Sequence, residues 1–112
     1  MDELVITREE FRDRYFKPVR AGTWNVIVKS LGTDYSEAER SLEFFLNRYK
    51  TFYFKISYTV AKDGVSNSRL AIIMGNGLSE AEADYVVKLT KKYGAAMDAC
   101  KTLQHWDTNS RL

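Results

Sequence analysis

The chain has a single cysteine, a single histidine and a single proline among its 112 residues, and each scarcity excludes something. A lone Cys100 cannot close an internal disulfide, whereas small secreted domains are usually stapled by an even set of cysteines. Cys100 and His105 cannot complete the four-ligand set of a structural zinc site, so no metal and no cofactor is expected. The longest apolar run, Leu70-Ala71-Ile72-Ile73-Met74, is far shorter than a membrane span. The opening residues, Met1-Asp2-Glu3-Leu4, lack the basic-then-apolar pattern of a secretory leader. Together these absences lead to the expectation of a cytoplasmic protein without a membrane partner. With one proline and 45% apolar residues the chain has the composition of a folded domain, not of a disordered one. Its length suits one domain over residues 1–112, burying roughly 65% of the unfolded chain's surface, with loose ends at about 1–4 and 105–112.

Catalytic groups are equally sparse. Cys100 falls in an apolar stripe, where burial blunts a thiol, and the only base within sequence reach is His105. The carboxylate pairs Glu37/Glu39 and Glu80/Glu82 lie in first helical turns, where the helix dipole favours acids. Gly75-Asn76-Gly77 reads as a turn between a strand and a helix, and Glu80, Glu82 and Asp84 would repel a phosphate there. No nucleophile, base and acid can be assembled, so an enzyme is not expected.

Three helix starts carry one signature. Thr7-Arg8-Glu9-Glu10, Ser36-Glu37-Ala38-Glu39 and Ser79-Glu80-Ala81-Glu82 are capping boxes, a hydroxyl and a Glu bonding each other's backbone amides. The first helix should stop near Phe16, because Pro18 disfavours helical backbone at Lys17. The second should run to about Lys50 on the stripe Ala38, Leu42, Phe45, Leu46, Tyr49. The third carries Val86, Leu89, Tyr93, Ala96, Cys100 and Leu103. It is one long helix unless Gly94 splits it. Between them, Phe52, Phe54, Ile56, Tyr58 and Val60 alternate with Tyr53, Lys55, Ser57 and Thr59, the pattern of a strand with one buried face. A second strand over 69–74 would complete a hairpin around a polar loop, 62–68, marked by Asp63-Gly64.

Residues 23–31 decide the topology. Trp24, Ile27, Val28 and Leu31 have helical spacing and Gly32 follows as a cap, while Val26-Ile27-Val28 is a β-branched run that prefers strand. The helical reading is preferred. It gives an α+β fold of three to four helices with a long antiparallel β-hairpin, an order that resembles the winged helix. The strand reading gives a β-α-β-β-α plait with an extra N-terminal helix. Gly32-x-x-x-Ser-Glu-Ala-Glu recurs at Gly75, each copy after an apolar segment, which favours the plait.

The charge is segmented although the net is only +2. Residues 11–29 carry Arg12, Arg14, Lys17, Arg20 and Lys29 against Asp13 alone, and residues 44–62 carry Arg48, Lys50, Lys55 and Lys62 with no acid. The second stretch also holds Tyr49, Phe52, Tyr53, Phe54 and Tyr58, and cations beside rings hold single strands of nucleic acid. With Phe52, Phe54 and Tyr58 assigned to the core, Tyr53 and Lys55 remain for binding. The expected function is a small regulatory protein that binds nucleic acid through Arg48, Lys50, Tyr53, Lys55, Lys62 and Arg69, with Arg12, Arg14 and Arg20. On a winged helix, Arg12, Arg14, Arg20, Arg48 and the wing (Lys62, Ser66, Asn67, Arg69) would touch the phosphates. The alternative is a protein-binding module, an inhibitor or adaptor of a larger complex, anchored by Trp24, Tyr35, Tyr53 and Trp106. The C-terminal stripe is longer than so small a core needs, which makes residues 86–103 a candidate homodimer surface; the alternative is that Gly94 breaks the helix and the last segment folds back on its own subunit.

Overall fold

Thr7 accepts a hydrogen bond from the Glu10 amide, and the Glu10 carboxylate takes one from the Thr7 amide. This reciprocal pair opens α1 (Arg8–Tyr15) as the sequence predicts, and the helix ends at Phe16, ahead of Pro18. The computed structural model describes residues 6–60, 66–94 and 98–104. The ends expected to be loose, 1–4 and 105–112, lie outside the described residues.

Residues 23–31 are not helical. Trp24–Ser30 forms β1, with Val26 and Val28 buried on one side. The helical spacing has its cause in the pairing of β1 with the strand over Ser66–Leu78. The pairing register shifts between Ile27 and Lys29, and across this irregularity Val28 and Leu31 both reach the core although three residues apart. A bulge therefore imitates the i, i+3 spacing of a helix while the β-branched run keeps its extended backbone.

α2 spans Tyr35–Arg48 and buries Ala38 and Phe45. Its cap is Asp34, whose carboxylate accepts from the amides of Ser36 and Glu37, so the helix begins before the expected Ser36 box. β2 (Lys55–Val60) and β3 (Ser66–Leu78) form the hairpin. Pairing is already in place at Val60 and Ser66, so the loop is shorter than 62–68. β3 also runs straight through Gly75-Asn76-Gly77, which is not the expected turn. The box at Ser79 then opens α3 (Glu80–Lys92) as predicted.

Of the two readings of the C-terminal stripe, the split at Gly94 holds and the single long helix does not. α3 stops at Lys92, Gly94 takes a positive φ of 69°, and Cys100–Leu103 forms β4. β4 pairs with β1 from Trp24 to Ile27, satisfying backbone groups that a longer helix would leave on an open edge. Cys100 is exposed in this strand, not buried in a helical stripe.

The sheet order is β2-β3-β1-β4, every neighbour antiparallel. With β1 second from one edge and four strands in the sheet, the winged-helix order is excluded. The chain is α+β with three helices and one four-stranded sheet. Alternate residues of β3, Leu70, Ile72 and Met74, join Phe11 and Tyr15 of α1, Phe45 of α2 and Val86 and Leu89 of α3 in one core. The helices thus cover one sheet face. No helix among the described residues is long and apolar enough to cross a membrane.

Arg8 ties this helical layer together. Its Nε donates to the Phe52 carbonyl at 2.8 Å, and its Nη2 donates to the carbonyls of Tyr49, at 3.1 Å, and Leu46. It thereby satisfies the open C-terminal carbonyls of α2 from another helix. Arg8→Ala should destabilise the protein by about 2–3 kcal/mol, because three partly buried carbonyls lose a charged donor, only that of Tyr49 keeping another among the described residues, the Phe52 amide. Arg8→Lys should recover only part of that, since an ammonium cannot span three carbonyls as a guanidinium does. Urea denaturation midpoints measure both, and an unchanged midpoint in Arg8→Ala would refute this role.

Candidate binding surface

The helices and strands divide the charge unequally. α1 carries Glu9, Glu10 and Asp13, α2 carries Glu37, Glu39 and Glu43, and α3 carries Glu80, Glu82 and Asp84. The four strands contain no acidic residue and four cations, Lys29, Lys55, Arg69 and Lys101. Lys101 is held on the helical side. Its Nζ lies 2.7 Å from Glu80, 2.8 Å from Asp84 and 5.1 Å from the Trp24 ring centre. The hydrogen bonds that Lys101 donates to Asp84 and then to Glu80 raise its pKa above the ordinary lysine value. Near the start of α3, Lys17 lies 2.6 Å from Glu82, and this contact, with the Ser79 amide, holds the Glu82 carboxyl below its usual value. Burial raises the Tyr15 hydroxyl against the weaker opposing effect of Arg14.

The sheet face turned away from the helices has a different character. Pairing places Lys55, Ile73, Ile27 and Cys100 in one row across all four strands. Ser57, Ala71 and Ser30 form the adjoining row. Ile73 and Ala71 are only 3% and 1% exposed although they lie outside the helical core, so the middle of this face is buried. Lys55 and Arg69 are exposed beside it. At the start of β2, Tyr53 meets Phe16 edge-on at 5.1 Å, and the Lys55 ammonium lies 5.7 Å from the centre of the Phe16 ring. Phe16 arrives there because it bridges Asn76, where β2 no longer flanks β3, and the Lys17 amide donates to the Asn76 carbonyl at 3.0 Å.

The structure thus brings Tyr53 and Lys55 together around Phe16, and Arg69 is exposed further along β3. Arg48 and Lys50 lie apart from them, at the end of α2, with Arg48 5.9 Å from the Tyr49 ring centre. Arg12 pairs with Asp13 at 3.2 Å, Arg14 acts electrostatically on the Tyr15 hydroxyl, and Arg20 sits in the turn before β1. No contact joins these three to Tyr53 or Lys55. Lys62 lies outside the described residues.

Of the aromatic anchors considered for a protein partner, Trp24 is half-buried beneath Lys101 and is not an exposed ring. Tyr35 is 51% exposed, and Trp106 lies outside the described residues. Tyr58, expected inside, is half exposed because β2 is an edge strand. Sequence reasoning missed Phe16, which no periodic signal marks. It also missed Phe44, 60% exposed, although Phe44 falls off the apolar stripe of α2 and was legible on that ground.

Among the described residues no group of three or more His, Cys, Asp or Glu is placed to hold a metal ion. No family model, no curated protein and no solved structure matches this chain.

Proposed function

We propose that the chain is a small nucleic-acid-binding protein whose contact surface is the β2 side of the sheet face opposite the helices. The observation that carries this reading is the absence of any carboxylate from the four strands, with Lys55, Tyr53 and Phe16 gathered at one corner. Lys55 and Arg69 neutralise phosphates, which positions a strand without reading its sequence. The Tyr53–Phe16 pair offers a ring on which one base stacks, which favours single strands over duplexes. The β-α-β-β-α-β order with strands β2-β3-β1-β4 matches the split β-α-β plait. That architecture hosts many functions and assigns none.

The test is titration of mixed-sequence single-stranded DNA and RNA at several salt concentrations. Lys55→Glu should weaken binding to all sequences alike and flatten the slope of log affinity against log salt by about one unit. Tyr53→Ala should cost single-strand binding about 1–3 kcal/mol. No binding by the unmodified chain at about 50 mM salt and tens of micromolar protein would refute the reading, because at that ionic strength modest basic surfaces still attract nucleic acid.

A second reading, a protein-binding inhibitor or adaptor, draws on Phe44 and Tyr35, two exposed rings of α2. In that case Phe44→Ala abolishes partner capture while Lys55→Glu does not. The homodimer expected through residues 86–103 loses its helical seam, because that segment is the end of α3 followed by β4.

A further inference from the structure

The C-terminal ends of α2 and α3 meet. Tyr49 caps α2, Tyr93 caps α3, and the Tyr49 hydroxyl donates to the Gly94 carbonyl at 3.0 Å. Between them lies a cleft of about 130 Å³ lined by Tyr49, Lys50, Thr51, Phe52 and Tyr93. Its walls are aromatic. The Phe52 ring stacks on Tyr49 at 6.3 Å and stands nearly perpendicular to Tyr93 at 5.5 Å. Its surroundings are cationic. Arg48 lies over Tyr49, the Lys92 ammonium lies 5.5 Å from the Tyr93 ring centre, and no acidic residue lines it. The loop that forms one wall is pinned from beneath by Arg8 through the carbonyls of Leu46, Tyr49 and Phe52. The cleft is therefore preformed, and a ligand need not pay to order it.

Helix dipoles explain part of this charge, since Arg48, Lys91 and Lys92 stand in last helical turns. They do not explain Lys50. It lies two residues past α2, lines the cleft, is exposed, and has no hydrogen bond or ion pair among the described residues. We propose that this cleft binds a small aromatic anion, one ring bearing a carboxylate or phosphate. The ring is held against Phe52 and Tyr93, and the charge is met by Lys50. The volume is close to that of cavities of roughly 150 Å³ that admit a single benzene ring. The proposal goes beyond the nucleic-acid reading and uses none of Tyr53, Phe16 or Lys55.

The test follows aromatic ring signals of the full chain by NMR during titration with sodium benzoate and with phenyl phosphate. Benzamide and acetate serve as the uncharged-ring and ringless controls. Saturable shifts of Phe52 and Tyr93 are expected with either anion, and the tighter of the two names the acid group. A ligand this small reaches a dissociation constant on the order of 1 mM. The controls should bind at least about ten-fold more weakly, and Lys50→Glu should weaken benzoate about ten-fold with an otherwise native spectrum. Lys55→Glu should change nothing, which separates this site from the sheet face. The proposal is overturned if neither anion gives saturable shifts up to about 20 mM, well above that constant. It is also overturned if benzamide matches benzoate, or if Lys50→Glu has no effect.

Discussion

Phe54→Ala should destabilise the protein by about 3–5 kcal/mol, and Tyr53→Ala, one residue away, by far less. Phe54 is 1% exposed, with ring centres of Phe45 at 5.1 Å and of Tyr49 and Phe52 at 6.3 Å. It joins β2 to α2 in an aromatic cluster that no neighbouring side chain can refill. Removing the ring loses its transfer free energy and leaves a cavity among rigid groups. Tyr53 is only half-buried, packed at the margin of the core against Phe16. Since a domain of this size is stable by only about 5–15 kcal/mol, Phe54→Ala alone removes a large fraction of the total. Urea titrations of the two variants decide it, and similar midpoints would mean that Phe54 is not a centre of the core.

Alternation made that contrast legible from sequence, and the caps at Thr7 and Ser79 were legible for the same reason: each signal is local. What the sequence hid depended on distant contacts. The strand over Trp24–Ser30 was obscured because its bulge gives the apolar residues a helical spacing, and the bulge exists only in the pairing with β3. β4 was hidden because Cys100 and Leu103 continue the stripe of α3 by accident of spacing. Gly94, with its positive φ, was the true signal, but whether it ended the helix depended on whether β1 had an open edge for β4 to cover. The Asp34 cap displaced Ser36 because its carboxylate takes the amides of Ser36 and Glu37 and so starts the helix before Ser36 can cap it.

The binding surface divides along the same line. The acid-free stretch 44–62 was visible in the sequence, but the structure splits it between two places. Lys50 lines the cleft at the helix ends with Arg48 beside it over Tyr49, while Lys55 goes to the far face of the sheet and Tyr53 to its margin against Phe16. Strand alternation predicts the turn of Lys55 away from the core; Tyr53, expected on the same face, lies before β2 and packs at the core's margin. Alternation does not predict Phe16, which reaches them from another part of the chain through its bridge to Asn76. Arg12 and Arg14 looked like part of one basic region because they are near in sequence, yet Arg12 is paired with Asp13 within α1.

Gly77→Ala should cost about 3 kcal/mol or more, although it adds one methyl group. Two effects combine. Gly77 has φ 66°, a conformation that strains any residue with a Cβ. A Cβ there would also lie 2.5 Å from the carbonyl oxygens of both Lys17 and Pro18. These are backbone atoms, so no side chain can rotate out of the way. The segment is held from two sides, by the Lys17 amide on the Asn76 carbonyl and by the Lys17 ammonium on Glu82. Gly22→Ala is the control. Its φ is 88°, but nothing lies within 4 Å of the added atom, so only the backbone strain of about 1–2 kcal/mol remains. Equal losses for the two variants in urea would show that residues 17 and 18 give way freely. If Gly77→Ala still folds, the displaced segment carries Phe16 with it. The Phe16–Tyr53 contact should then open, and affinity for single-stranded nucleic acid should fall by about as much as in Tyr53→Ala, roughly 1–3 kcal/mol. Native binding by a folded Gly77→Ala variant would separate Phe16 from the contact surface and leave Tyr53 and Lys55 to act without it.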